Sequence, residues 1–389
     1  PDSSLESSPD SSLESSPDSS LESSPDSSLE SSPDSSASSA SSSPSSSASS
    51  SPSSSASSSV QSYLAVNKYP YLYPTLKDPN FAAEIARRKE FRDTSYQGDI
   101  SSVEKTSDEM CNAGYELAPH QQFVRNFMSS QTPYNGMLLY HGLGSGKTCS
   151  AISVAEECRE FFKRSGTPGA NKIIVIASPN VQDNFKKQLF DEKSLRYTKT
   201  YGWTVKDSCA GNIFINEILS ANNRRFKEKD LDLVIKHIKR IIKKYYMFLG
   251  YSQFYNFFIK KIIVGSDVET AAHKKALKNR VNKWFAGCVF IIDEAHNIRS
   301  DIKSSKKDGV SDNENEGQND GENNQTKTMK GVTKSLEYIA SHADNVKFLL
   351  LSATPMYNSP KEIIGLLNLL NRNDGRRTIR SKDVFNTAG

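Results

Sequence analysis

The feature that most restricts the fold is the run GMLLYHGLGSGKTCSAI over residues 136 to 152. The apolar stretch from 136 to 142 reads as a short buried strand that enters a glycine loop, and the loop enters a helical pattern from Lys147 to Phe162. Gly144 and Gly146 let backbone N–H groups turn inward at a helix start, where the peptide dipoles favour an anion. Lys147 reaches the outer phosphates of a nucleotide, and Thr148 offers a hydroxyl to Mg²⁺. The expected phosphate-binding set is Gly142, Gly144, Ser145, Gly146, Lys147 and Thr148. The strict pattern G-x-x-x-x-G-K-[ST] wants glycine at position 141, where this chain has His141, so a differently shaped loop entrance is expected.

Three more apolar runs end in polar clusters: NKIIVIASPN (171 to 180), GCVFIIDEAHNI (287 to 298) and VKFLLLSATP (346 to 355). Short apolar strands alternating with helical patterns predict an α/β fold, a parallel sheet covered by helices on both faces. In such sheets the chemistry gathers at the carboxyl ends of the strands, where these clusters lie. FLGYSQF (248 to 254) reads as strand-like, and Val234, Ile238, Ile241 or Ile242, and Tyr245 fit one helical face. LAPHQQFVRNFMSS opens the folded body with a proline-started helix whose Phe123, Phe127 and Met128 share a face.

IIDEAH (291 to 296) supplies what a phosphate loop lacks. Asp293 emerges at a strand end, placed to hold Mg²⁺ through water, and Glu294 can orient and deprotonate an attacking water. The expected catalytic set is Lys147, Asp293, Glu294 and His296, with Thr148 and Asp293 on the metal. Ser352 and Thr354 can sense the outer phosphate and contact His296, although SAT is also ordinary turn chemistry. Gln121 can pair with adenine, with Gln122 as its rival and a solvent-facing amide as the plain alternative.

Charge is unevenly spread. The first 62 residues repeat PDSSLESS four times and decay into a Ser-rich run, with five Asp, four Glu and no base, and they read as a disordered tail. They carry −9, so the remaining residues carry +13 of the total of +4. Between residues 224 and 283 sixteen Lys and Arg face five Asp and Glu, which fits either a nucleic-acid footprint or a solvated helical face. DGVSDNENEGQNDGE (308 to 322) is expected as a flexible acidic excursion within an insertion at 301 to 329. Five scattered cysteines predict reduced thiols in cytosol or nucleus, with no zinc spacing, and no apolar run is long enough for a membrane span.

In this order, PHQQ, GLGSGKT, IVIASPN, DEAH and LLLSATP resemble the first RecA-like domain of a superfamily 2 helicase. They are most similar to the SNF2-like ATPases of large cytoplasmic DNA viruses, a group that includes the early transcription factor small subunit and nucleoside triphosphatase I. The resemblance covers residues 69 to 375, and YPTLKDPNFAAEIARRKEF, which reads as a proline-punctuated segment followed by a short helix from about Asn80 to Phe91, resembles the leader of such proteins. It implies ATP and Mg²⁺ as cofactors, Gln121 at the adenine, and His296, Ser352 and Thr354 coupling nucleotide state to nucleic acid. It further implies that Ser178, Pro179 and Asn180 lie along a nucleic-acid backbone, and it likens Tyr251, Ser252 and Phe254 to an aromatic strand-end motif.

The expected organisation is a tail (1–62), a leader (63–112), a helicase ATP-binding domain (113–375) and a connector (376–389), with a second helicase domain absent. Arg376, Arg377 and Arg380 then have no domain to orient them across the phosphates, and slow hydrolysis is expected. The implied partners are nucleic acid, DNA before RNA, and a viral RNA polymerase or a subunit supplying the second RecA-like domain. The implied place is the virion or the host cytoplasm. Three function classes remain open: a helicase-like ATPase, a nucleotide-binding regulatory module, and a small-molecule P-loop kinase, the last disfavoured by the DEAH and SAT set.

Overall fold

The structure, a computed structural model, describes residues 72–96, 116–165, 172–206, 208–222, 226–263, 271–298, 324–356 and 359–385. The Ser-rich tail, half of the expected leader, Cys111 and the acidic run 308–322 lie outside the described residues.

The described strands are β1 (Gly136–Tyr140), β2 (Ile173–Ile176), β3 (Leu195–Thr198), β4 (Gly202–Val205), β5 (Tyr246–Leu249), β6 (Val289–Ile292) and β7 (Lys347–Ser352). The helices are α1 (Phe81–Arg87), α2 (Lys89–Arg92), α3 (Pro119–Phe127), α4 (Lys147–Ser165), α5 (Pro179–Leu189) and α6 (Ile213–Asn222). They continue with α7 (Leu231–Tyr245), α8 (Tyr251–Ile262), α9 (Ala271–Phe285), α10 (Asn324–His342), α11 (Ile363–Asn373) and α12 (Ser381–Val384). Five strands form one parallel sheet in the order β1-β7-β6-β2-β5, and β3 and β4 form a separate antiparallel hairpin.

Alternation along each strand splits the core in two. Ile173, Val175, Val289, Ile291, Leu349 and Leu351 face one apolar cluster, and Ile174, Ile176, Phe290, Ile292, Phe348 and Leu350 face the other. Successive side chains of a strand point to opposite faces, so a run apolar at every position requires cover on both sides. Helices α3 to α7 supply the first cover and α8 to α11 the second. This is the expected RecA-like α/β architecture. Among the described residues no helix is long and apolar enough to cross a membrane.

Four local expectations are corrected. FLGYSQF is not one strand: β5 ends at Leu249, and Gly250 N–H donates to Gln253 Oε1 at 2.9 Å, which starts α8. The helix expected from Asn80 to Phe91 breaks at Arg88, whose φ of −70° and ψ of 136° are extended, so that Ile85 and Phe91 both reach the core. Helix α10 starts at Asn324, inside the stretch expected to be flexible. The strand β1, expected as buried, is at the edge of the sheet; Leu139 is its buried residue and Tyr140 is exposed.

One ion network centres on a buried arginine. Arg159 on α4 has no solvent exposure and donates to Glu156 at 2.8 Å and to Glu217 at 2.5 Å, while Tyr246 donates its hydroxyl to Glu156 at 2.5 Å. Phe214 and Tyr245 lie over the guanidinium at 5.0 and 5.6 Å. Arg159→Met strands the Glu156 carboxylate in the core and is expected to cost about 3–5 kcal/mol in denaturant unfolding. Adding Glu156→Leu to it should recover most of that loss. A single-variant cost below about 1 kcal/mol would show that water reaches the carboxylate.

Candidate nucleotide site

The carboxyl end of the sheet gathers the chemistry. β1, β7 and β6 are adjacent and parallel, so the glycine loop after β1, the Ser-Ala-Thr turn after β7 and the acids after β6 leave from one edge. Tyr140 pairs in register with Ser352, which aligns the loop entrance with that turn.

The loop takes its shape from two glycines. Gly144 and Gly146 have φ of 80° and 77°, the left-handed region that a side chain disfavours. A Cβ on Gly146 would also collide with Gln121 Nε2. Position 141 is not among the positive-φ positions, which is the physical reason that a histidine is tolerated where the strict pattern wants glycine. His141 Nδ1 is buried without a hydrogen bond, and burial, followed by His120 and Lys147, lowers its pKa, so the ring stays neutral. Ser145 Oγ donates to Gly142 O at 2.8 Å, and Lys147 Nζ donates to His141 O at 3.0 Å and to Gly142 O at 2.9 Å. The lysine therefore lies along its own loop, within reach of any anion the loop encloses. Ser150 N–H makes the entry bond of α4 to Gly146 O at 3.0 Å. The N–H groups of the preceding residues belong to the unsatisfied set of a helix start.

Gln121, expected at the base, is buried on α3 and bonded to the loop: Nε2 donates to Gly146 O at 3.4 Å and Oε1 accepts from Ala118 N–H at 3.1 Å. Its rival Gln122 instead donates to Asn126 on the same helix. His120 is a contact that sequence reading missed. Its Nε2 meets Ser145 O at 2.9 Å and its Nδ1 meets Tyr96 OH at 2.6 Å. Its place in PHQQ, one residue before Gln121, was the available signal.

The acids follow β6. Asp293 N–H donates to Ile176 O at 3.0 Å, and Asp293 Oδ1 accepts from Glu294 N–H at 2.9 Å. Burial pushes the Asp293 carboxyl above its usual range; the bond from Glu294 N–H opposes that, the Glu294 charge adds to it, and Lys147 pulls it back down. Lys147 thus lies close enough to act on the Asp293 carboxyl although 146 positions separate the two in sequence. Glu294 has a φ of 51°, a left-handed conformation that costs a non-glycine residue about 1 kcal/mol or more and persists where surroundings enforce it. The enforcers are visible. Tyr251 OH donates to the Asp293 carbonyl and, at 3.2 Å, to the Glu294 carbonyl, while Asn297 N–H donates to Glu294 O at 2.9 Å. His296 Nδ1 lies 3.3 Å from Glu294 Oε2 and 3.3 Å from Ser352 Oγ, and Ser352 Oγ accepts from Thr354 N–H at 3.1 Å.

Thr148 is partly exposed in the first turn of α4, and Thr354 is exposed beyond β7. Ser178, Pro179 and Asn180 form the exposed start of α5. Tyr251 is at the acids and Ser252 is exposed, but Phe254 is core, packed on Phe290 at a centroid distance of 6.1 Å. The strand-end motif therefore divides between site and core.

The cysteine expectation is also corrected. Cys149, one residue past Thr148, is joined to Cys209 in a disulfide, with Cα atoms 5.1 Å apart across 60 residues of sequence. Dispersed spacing in sequence gives no measure of distance in the fold. Cys158 and Cys288 are buried thiols outside that bridge.

With this geometry in place, residues 114–357 match the protein family described as Type III restriction enzyme, res subunit, across more than half of the chain. The chain belongs to that family. The ResIII segment contains the glycine loop, both acids and the Ser-Ala-Thr turn. Similar proteins come from large DNA viruses. One from Acanthamoeba polyphaga mimivirus, provisionally named an ATP-dependent RNA helicase, is 26% identical over 310 residues, covering 77% of this chain and 40% of its own length. Provisionally named helicases of Invertebrate iridescent virus 3 and Frog virus 3 are each 26% identical, over 79% and 69% of this chain and 25% and 21% of their own lengths. The chain thus spans less than half the length of these relatives. The match and the fold make this ResIII member a helicase-like superfamily 2 domain of the kind carried by these viral proteins.

Proposed function

We propose that the chain binds ATP with Mg²⁺ and hydrolyses it to drive work on nucleic acid, as the motor half of an SNF2-like, DEAH-type viral ATPase serving transcription. The observation that carries this reading is the convergence of Lys147 with Asp293 and Glu294 at one sheet edge, held by the intervening β7. The residues suit the ligand. Gly144 and Gly146 give the loop a left-handed backbone that a side chain would strain, and at Gly146 a Cβ would also displace Gln121. Mg²⁺ is ordinarily held by one or two protein oxygens plus phosphates and waters, which Thr148 and Asp293 can provide. Bound there, the ion would neutralise phosphate charge.

The remaining roles belong to the chain itself. Lys147 leaves the carbonyls of His141 and Gly142 for the outer phosphates. Glu294 accepts the proton of the attacking water, and His296 bridges that carboxylate to Ser352, so the state of the acid reaches the turn bearing Thr354. Gln121 contributes to adenine recognition through the same amide that supports the loop.

Lys147, Asp293 and Glu294 all approach the phosphates from the sheet edge. Charge on the far side of the transferring group needs donors from another domain or a partner. The 389-residue chain is therefore expected to bind ATP–Mg²⁺ and to turn it over well below about 1 s⁻¹, under the ordinary enzyme range. Steady-state assays without nucleic acid, with duplex DNA and with duplex RNA test this. Absence of ATP binding removes the reading, and strong stimulation of the chain alone removes the requirement for a facing partner. The SNF2-like resemblance favours DNA, whereas the mimivirus relative's name points to RNA, and the two polymer arms choose between them. A regulatory, slowly hydrolysing module is the second reading, supported by the same one-sided approach.

The basic block is assigned away from this edge. Lys239, Arg240, Lys243 and Lys244 are exposed on α7, Lys239 already pairs with Glu192, and α7 ends where β5 begins, at the amino edge of the sheet. Neutralising all four should change the slope of log affinity against log salt by less than about one. A loss of about three to four would mark them as phosphate contacts.

A further inference from the structure

The bridge between Cys149 and Cys209 lies where a covalent tie has consequences. Cys149 is in the first turn of α4, immediately after the two residues expected on the phosphates and the metal. Its partner is on the turn between β4 and α6, and that turn is anchored: Cys209 N–H donates to Gln188 O at 3.0 Å, and Ser208 Oγ donates to Gln188 O and Leu189 O at 3.2 and 3.1 Å. The disulfide therefore fastens the start of the phosphate-binding helix to the end of α5.

A second state is also built in. Gln188 Oε1 is 3.9 Å from Cys149 Sγ and 3.7 Å from Cys209 Sγ, so one amide oxygen can accept from either S–H once the bond opens. Both cysteines are partly exposed, and Cys209 lines a cavity of about 330 Å³ with Leu117, Arg125, Ser153, Glu157 and Ile213, which admits a small reagent. The remaining described cysteines differ. Burial pushes the Cys158 thiol up to about 11 and the Cys288 thiol up to about 12, which keeps both protonated and inert. Disulfides in reducing compartments are commonly transient and redox-sensing.

We propose that Cys149 and Cys209 form a reversible disulfide modification site, and that closing it weakens nucleotide binding at the adjoining loop. The coupling rests on the nucleotide reading above. Its direction follows from what binding demands. Lys147 must leave His141 O and Gly142 O, and the first-turn N–H groups must close on phosphate. A first turn tied two residues further on adjusts less.

Closure is a thiol–disulfide exchange with a low-molecular-mass disulfide such as oxidised glutathione. The Cys209 thiolate attacks one sulfur of the oxidant, whose S–S bond breaks and releases one thiolate, leaving a mixed disulfide. The Cys149 thiolate then attacks the Cys209 sulfur, forms the internal bond and expels the second thiolate. The two protons given up by the cysteines end on the two released thiols. The protein pair is oxidised by two electrons, and the oxidant is reduced by two.

The test uses the full 389-residue chain treated with oxidised glutathione or with dithiothreitol, and Cys209→Ser under both treatments. Peptide mapping without reductant should recover a 149–209 linkage in the oxidised chain and lose it in the variant. Titration with a fluorescent ATP analogue and Mg²⁺ should give at least fivefold weaker binding to the oxidised chain, with the variant indifferent to the oxidant. By reciprocity, saturating ATP should raise the midpoint potential of the pair by about 20 mV, from about 30 mV per tenfold for two electrons. No 149–209 linkage, or equal or tighter binding by the oxidised chain, would overturn the proposal. A mapped linkage in a chain whose reduced form binds no nucleotide would overturn the coupling through the nucleotide reading, a result distinguishable from equal binding by the two forms.

Discussion

Glu294→Gln is expected to lower ATP turnover by about 10²- to 10⁴-fold, the ordinary contribution of a general base. Nucleotide affinity should stay within about threefold, because a group acting on the water affects the transition state rather than the bound substrate. The substitution keeps the side-chain shape. The left-handed backbone at 294 is fixed through main-chain groups, by Tyr251 OH, Asp293 Oδ1 and Asn297 N–H, and none of those bonds uses the carboxylate. What the change removes is the negative charge 3.3 Å from His296 and the ability to take a proton. Single-turnover assays at saturating ATP separate chemistry from binding. Turnover within about tenfold of the unmodified chain would move the base elsewhere and leave Glu294 as the partner of His296.

Lys147→Ala should remove nucleotide binding rather than chemistry, with affinity for ATP–Mg²⁺ falling about 100-fold, the upper range for a charged hydrogen bond. The loop itself should survive. The lysine's two acceptors are the carbonyls of His141 and Gly142, the latter on an exposed residue, and the φ values of Gly144 and Gly146 do not depend on the side chain. Thermal unfolding supplies the readout. Nucleotide at 100 times its dissociation constant stabilises the unmodified chain by about 2.7 kcal/mol. The variant should show almost none of that at the same concentration. An equal shift in both proteins would place the nucleotide away from the loop.

Much of this site was legible because its parts are local. A strand, a glycine loop and a helix follow one another within residues 136 to 165, and each signal is a run of neighbouring residues. The same holds for Asp293 and Glu294 after β6. Legibility failed where the deciding contact joins distant segments. Nothing in YSQF announces that Tyr251 OH reaches the carbonyls of Asp293 and Glu294, and nothing around either cysteine announces that Cys149 meets Cys209. The apolar character of FLGYSQF misled because aromatic residues serve strand and helix alike. The bond from Gly250 N–H to Gln253 settles that boundary, and a hydrophobic pattern does not contain it. The amphipathic face of α7 was readable from Val234 and Ile238, whereas the position of its bases relative to the site required the order of the strands.

That order makes β7 a shared spine. Every residue of β1 from Gly136 to Tyr140 is laddered to it on one flank, and Val289 to Ile292 are laddered to it on the other. The lysine-bearing loop and the acid-bearing turn hang from the same rod, and Thr354 lies just beyond its tip. A load applied at that tip by a polymer or a neighbouring domain would reach both halves of the site together, so under the proposed reading the grip on phosphate and the alignment of water would move as one.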